Sequence, residues 1–128
     1  MPKGPLVAIV DDDSSIRETT KDLLESAGFS VAVYSRPANL LRSRRLGRIS
    51  CLIADMRMPK MTGLELYQRL LASNHAIPTI LMTAYPDERT RLLAARENVI
   101  AYLVKPFAAD ELLACVRRAA QNHDHCSE

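Results

Sequence analysis

A chain of 128 residues is long enough for one domain with a single core and too short for two of ordinary size. With 48% hydrophobic and 25% charged residues it has the balance of a soluble globular protein, and a net charge of +2 is too small to argue for nucleic acid or a membrane as partner. No stretch approaches the roughly 18–20 apolar residues that cross a bilayer, and the start, Met1-Pro2-Lys3-Gly4-Pro5, lacks the apolar core of a signal peptide, so the reading places the chain in the cytoplasm.

Leu6 to Val10 is a β-branched apolar run bounded by Gly4-Pro5 and by three aspartates, which reads as a buried parallel strand. Ile16, Thr20, Leu23, Leu24 and Ala27 then recur at helical spacing, with Asp13 or Ser14 as N-cap and Gly28 as the stop. Ser30 to Tyr34 is the second strand, and Pro37 opens a short helix through Leu41. The arginines that follow, Arg42, Arg44, Arg45 and Arg48, read as an exposed, solvated loop and receive no function.

The third strand, residues 50–55, carries the backbone through the interior and ends on Asp55, with Pro59, Lys60 and Gly63 reading as loop. Thr62 and Glu65 have the form of a capping box, and Leu64, Tyr67, Leu70 and Leu71 supply the apolar face of the next helix. Residues 77–82 form the fourth strand, ending at Thr83-Ala84. Tyr85-Pro86-Asp87-Glu88 opens a fourth helix whose stripe, Leu92, Leu93 and Ala95 with Val99 beyond, is thin, so weak packing is expected. Asn98 ends that helix in the left-handed conformation. A fifth strand over 100–104 stops at Lys105-Pro106. The last helix spans about 109–121, and residues 122–128 are a polar, frayed tail. Cys51, Cys115 and Cys126 are odd in number and lack paired spacing, so they read as reduced thiols, the first two serving as small apolar residues.

Five strands alternating with five helices predict an α/β fold, a parallel sheet covered on both faces. Ligands in such sheets bind beyond the carboxyl ends of the strands. There stand Asp11, Asp12 and Asp13 after the first strand, Asp55 after the third, Thr83 after the fourth and Lys105 after the fifth. If the strand order is 2-1-3-4-5, Asp11, Asp12 and Asp55 crowd together. Each like-charge pair at 4 Å then repels by about 1 kcal/mol in water and about 4 kcal/mol at an effective dielectric of 20. Such a cluster needs a cation, and carboxylate oxygens without histidine or thiol suit Mg²⁺. The metal beside a carboxylate, a lysine and a hydroxyl is an arrangement for phosphoryl transfer, with Asp55, alone on its strand end, as the nucleophile.

Val10-Asp11-Asp12-Asp13, Asp55-Met56-Arg57-Met58-Pro59 with Gly63, Met82-Thr83-Ala84 and Lys105-Pro106-Phe107 together resemble the receiver domain of two-component response regulators, most of all the nitrogen-fixation-type regulators. The resemblance spans Leu6 to Gln121 and implies a receiver domain over 1–121 with the flavodoxin-like 2-1-3-4-5 order. It further implies that Asp55 is the phosphoacceptor, served by a histidine kinase or phosphotransfer protein. Mg²⁺ is then bound by Asp12, Asp55 and the backbone carbonyl of Arg57, with Asp11 acting largely through water. By the same resemblance Lys105 pairs with the phosphoryl group, the Lys105-Pro106 bond is cis, and Thr83 and Tyr102 switch the surface of the fourth helix, fifth strand and fifth helix for a downstream protein partner or a phosphorylation-dependent dimer. Arg57 and Tyr85 occupy variable positions that influence phosphoryl lifetime, while Glu97-Asn98 departs from the usual glycine pair or Ala-Gly.

The resulting expectation is a stand-alone phosphoacceptor rather than an enzyme, binding neither nucleic acid nor membrane directly. Two other readings keep the same domain: a receiver cut from a DNA-binding regulator, and an unphosphorylated docking scaffold. A dehalogenase-type phosphatase needs a second acid two residues after the nucleophile, where Arg57 stands. A nucleotide binder would need a glycine-rich motif that the four glycines do not make. The tail sequence His123-Asp124-His125-Cys126 is a minor metal-binding option.

Overall fold

The computed structural model describes residues 4–126, the last five of them as backbone alone. Strands β1 (Leu6–Val10), β2 (Ser30–Tyr34), β3 (Ile49–Asp55), β4 (Thr79–Thr83) and β5 (Ala101–Val104) form one sheet. The order is β2-β1-β3-β4-β5 with every pair parallel, as expected. Helices α1 (Ser14–Ser26), α2 (Pro37–Leu41), α3 (Gly63–Ala72), α4 (Glu88–Arg96) and α5 (Ala109–Cys126) connect and follow the strands. The α5 helix therefore continues five residues past its expected end, and the side chains of His123, His125 and Cys126 lie outside the described residues.

Alternation along the strands splits the core in two. Val7, Ile9, Ile53, Ile80 and Met82 pack under α1 and α5 through Leu24, Leu112 and Val116, whereas Ala8, Val10, Leu52, Ala54 and Leu81 pack under α2, α3 and α4. All seven residues of β3 are buried, as befits the middle strand of five. Burial of each Leu or Ile side chain stabilises the fold by about 1.5–3 kcal/mol. Cys51 belongs to this strand, and burial holds its thiol far above the ordinary range, which leaves it a small apolar group.

Local signals set the helix ends. The Asp13 carboxylate accepts from the amides of Ser15 and Ile16, and Thr62 and Glu65 complete their capping box. Gly28 and Asn98 take positive φ angles of 97° and 67° at the ends of α1 and α4. The fourth helix differs from expectation in two respects. It begins at Glu88 with Asp87 as N-cap, so Pro86 precedes it, and its inward residue is Ala94, while Leu92 and Leu93 are 54% and 40% exposed. Only one small side chain thus seats α4 on the sheet. Its far end is tied instead to α3, where the Tyr67 hydroxyl donates to the Glu97 carbonyl at 2.7 Å. On α3, Leu66 rather than Leu71 completes the buried face.

Gly63 starts α3 directly against the end of β3. A Cβ there would lie 2.7 Å from the Asp55 carbonyl oxygen and 3.0 Å from Leu81. Gly63→Ala is expected to destabilise the domain by about 1–3 kcal/mol, read as a lower urea midpoint at unchanged slope. A midpoint equal to wild type would show that the helix start yields freely.

Candidate functional site at the carboxyl ends of the strands

The parallel register carries four separate chain segments to one edge. Val10 pairs with Ala54, so the next residues, Asp11 and Asp55, leave β1 and β3 side by side. The amide of Asp11 still donates to the Tyr34 carbonyl, and its carboxylate accepts from the Asp13 amide at 2.9 Å. Asp12 stands exposed between the ladder and the helix cap. Asp55 is 8% exposed and accepts from the Arg57 amide at 3.1 Å.

Lys105 arrives from the other side of the sheet. Its amide donates to the Thr83 carbonyl, and its Nζ lies 3.3 Å from Asp11 Oδ2 and 3.2 Å from Asp55 Oδ2. The bond from Lys105 to Pro106 is cis. Thr83, 2% exposed, accepts from the Tyr85 amide at 3.0 Å through its hydroxyl oxygen, which leaves the hydroxyl hydrogen uncommitted among the described residues. Over this floor the Arg57 guanidinium stacks on the Tyr85 ring, 4.2 Å from its centre.

All the acids, the threonine and the lysine singled out in the sequence therefore meet, apart from Asp13, which is spent on the helix cap. Tyr102 stands apart, half-buried on β5 and bordering a cavity of about 240 Å³ against α4. Sequence reasoning missed Arg17, whose Nη1 donates to the Asp11 carbonyl at 2.7 Å. A cation one turn into the helix after an acidic strand end was the available signal.

The response regulator receiver domain family matches residues 7–117. The chain belongs to that family. It is 34% identical over 121 residues to the C4-dicarboxylate transport transcriptional regulatory protein DctD of Rhizobium meliloti, covering 94% of this chain and 26% of DctD. To the transcriptional regulatory protein FixJ of Bradyrhizobium diazoefficiens it is 31% identical over 113 residues, covering 88% of this chain and 55% of FixJ. Among solved structures, response regulator StyR superposes with a TM-score of 0.90 at 37% identity, covering 97% of this chain and 63% of that one. This receiver thus spans between a quarter and two thirds of those chains, and no helix among its described residues is long and apolar enough to cross a membrane.

Receiver domains generally bind Mg²⁺ in an acidic pocket, and the residues present suit that ion. Carboxylate oxygens of Asp11, Asp12 and Asp55 lie within 4.8 Å of one another, all hard donors, and Asp12 has no cationic partner among the described residues. Burial, reinforced by the Asp55 charge, pushes the Asp11 carboxyl above its usual 3.8, and the Asp13 amide and Lys105 offset this only in part. A carboxyl raised on folding binds more protons in the folded state. Stability from this group therefore falls as pH rises from about its unfolded value through the folded one. Without added metal, Asp11→Asn is expected to raise the melting temperature by a few degrees at pH 7 and to lose that advantage below pH 4. Added Mg²⁺ should stabilise wild type more than the variant. An unchanged or lower metal-free melting temperature for the variant would show that Asp11 is held without electrostatic stress.

Proposed function

We propose that Asp55 accepts a phosphoryl group from the phosphohistidine of a histidine kinase or phosphotransfer protein. The reading is supported above all by Lys105, which reaches from β5 to hold both Asp11 and Asp55 at 3.2–3.3 Å at a strand end where Asp55 is nearly buried. In the step, a carboxylate oxygen of Asp55 forms the new O–P bond as the P–N bond of the phosphohistidine breaks, and the imidazole leaves with the electron pair and takes up a proton. Lys105 orients Asp55 beforehand and pairs with the incoming oxygens afterwards. Asp11, Asp12, Asp55 and the Arg57 backbone carbonyl would hold Mg²⁺, which would supply positive charge toward the phosphoryl oxygens.

The same geometry supports a switch. The Thr83 hydroxyl donates its uncommitted hydrogen to a phosphoryl oxygen on Asp55, and its turn toward that oxygen loosens the bond it accepts from the Tyr85 amide. The released loop leads into α4, which Ala94 alone seats on the sheet, and the cavity between that helix and β5 offers space to Tyr102. The α4, β5 and α5 surface then changes for a downstream protein partner or a second phosphorylated copy, without direct nucleic-acid contact. DctD and FixJ are named transcriptional regulatory proteins and are longer than this chain. The leading reading is a receiver that acts alone, and the alternative is the receiver part of such a longer regulator.

Incubation with a small acyl phosphate and Mg²⁺ is expected to add one labile phosphoryl group by intact mass, absent in Asp55→Asn. No adduct on wild type, alongside a reference receiver that is modified, would leave only the docking-scaffold reading. The Arg57 and Tyr85 stack shields the acyl phosphate from water. A cation–π pair at an exposed site is worth about 0.5–1 kcal/mol, so the Arg57→Ala, Tyr85→Ala double variant should lose its phosphoryl group about two- to fivefold faster. Equal decay rates would remove the shield.

A further inference from the structure

A groove of about 590 Å³, none of the acids among its lining residues, lies between α2, the β3–α3 loop and Arg69 of α3. Its floor is apolar, made by Pro37 and Leu41 of α2 with Pro59 and Met61 of the loop. Its rim carries Arg36, Arg42, Lys60 and Arg69, and no acidic residue lines it. The chain as a whole holds 17 basic and 15 acidic residues, so four cations against no acid is a local concentration. Among the described residues none of the four is in an ion pair; those pairs are Arg91 with Glu88 and Lys105 with Asp11 and Asp55. Lys60 is also held at φ 71°, a backbone region that glycine or asparagine enters more easily than lysine.

These features define a ligand chemistry. An apolar floor is filled only by apolar side chains, whereas four cations carried by two helices and a loop match negative charges spread along a ligand. A small amphiphile with one head group meets one or two of them. A duplex carries the charge but keeps its bases stacked inside, and a single strand would look for aromatic side chains to stack on, of which the lining has none. We propose that this groove docks an acidic segment of a partner protein, anchored by one or two apolar side chains between its carboxylates. Docking needs no phosphoryl group on Asp55, so it stands or falls separately from the phosphoacceptor reading.

The test is titration of the ¹⁵N-labelled protein with the peptide Glu-Glu-Asp-Leu-Phe-Asp-Glu-Glu, followed by amide shifts and, with a fluorescent label, by anisotropy. Shifts are expected in residues 36, 38–42, 60, 61 and 69, the prolines having no amide hydrogen. Affinity should weaken with salt and fall by about tenfold or more in an Arg42→Glu, Lys60→Glu double variant, whose amide spectrum away from the groove matches wild type as a control of folding. A peptide with serine in place of leucine and phenylalanine should bind about tenfold more weakly. The proposal is overturned by absence of binding, by shifts that map elsewhere, by indifference to charge reversal, or by polyphosphate or the serine peptide binding as tightly as the apolar-anchored one.

Discussion

Two carboxylates on adjacent parallel strands, both withdrawn from water, must share one ammonium. That constraint organises the carboxyl edge of this receiver. Asp11 and Asp55 repel each other at the ends of β1 and β3, and Lys105, reaching across two strands to both, offsets that repulsion. The lysine in turn is fixed by its own backbone bond to Thr83. The result is a site whose charge is incompletely balanced among the described residues, and in the proposed phosphoacceptor reading that imbalance gives a bound cation or a transferred phosphoryl group leverage over the surrounding fold.

That leverage needs a soft element to act upon. Most of the protein offers none: β3 is buried throughout, and α1, α3 and α5 each seat large apolar side chains on the sheet. The α4 helix is the exception, joined to the site through the Thr83–Tyr85 turn and seated by Ala94. Its two exposed leucines are a stabilising contact forgone in this conformation and a surface offered to another molecule.

Much of this was readable from residue order. Strand ends could be found because each apolar run stops at a polar residue, and once strands one and three were taken as neighbours, Asp11 and Asp55 had to meet although 44 positions separate them. What escaped was whatever depends on how a helix is rotated about its axis. In α4, leucines and alanines are interspersed with arginines, so hydrophobicity favoured Leu92 and Leu93 although the helix is turned with Ala94 toward the sheet. Leu66 and Leu71 on α3 were confused for the same reason, since a run of closely spaced leucines leaves the inward face ambiguous. Hydrogen bonds such as Arg17 to Asp11 or Tyr67 to Glu97 carry no periodic signature and become visible only in three dimensions.

The bond from Tyr67 bears on how α4 can travel. It fastens the C-terminal tip of the helix to a neighbour that is itself well packed, while the N-terminal tip hangs from the turn beside Asp55. A rod pinned at one end swings rather than slides. In the proposed switch the arc is therefore widest at Asp87 and Glu88 and dwindles toward Arg96, so a partner gripping the first turn would register more of the displacement than one resting on the last.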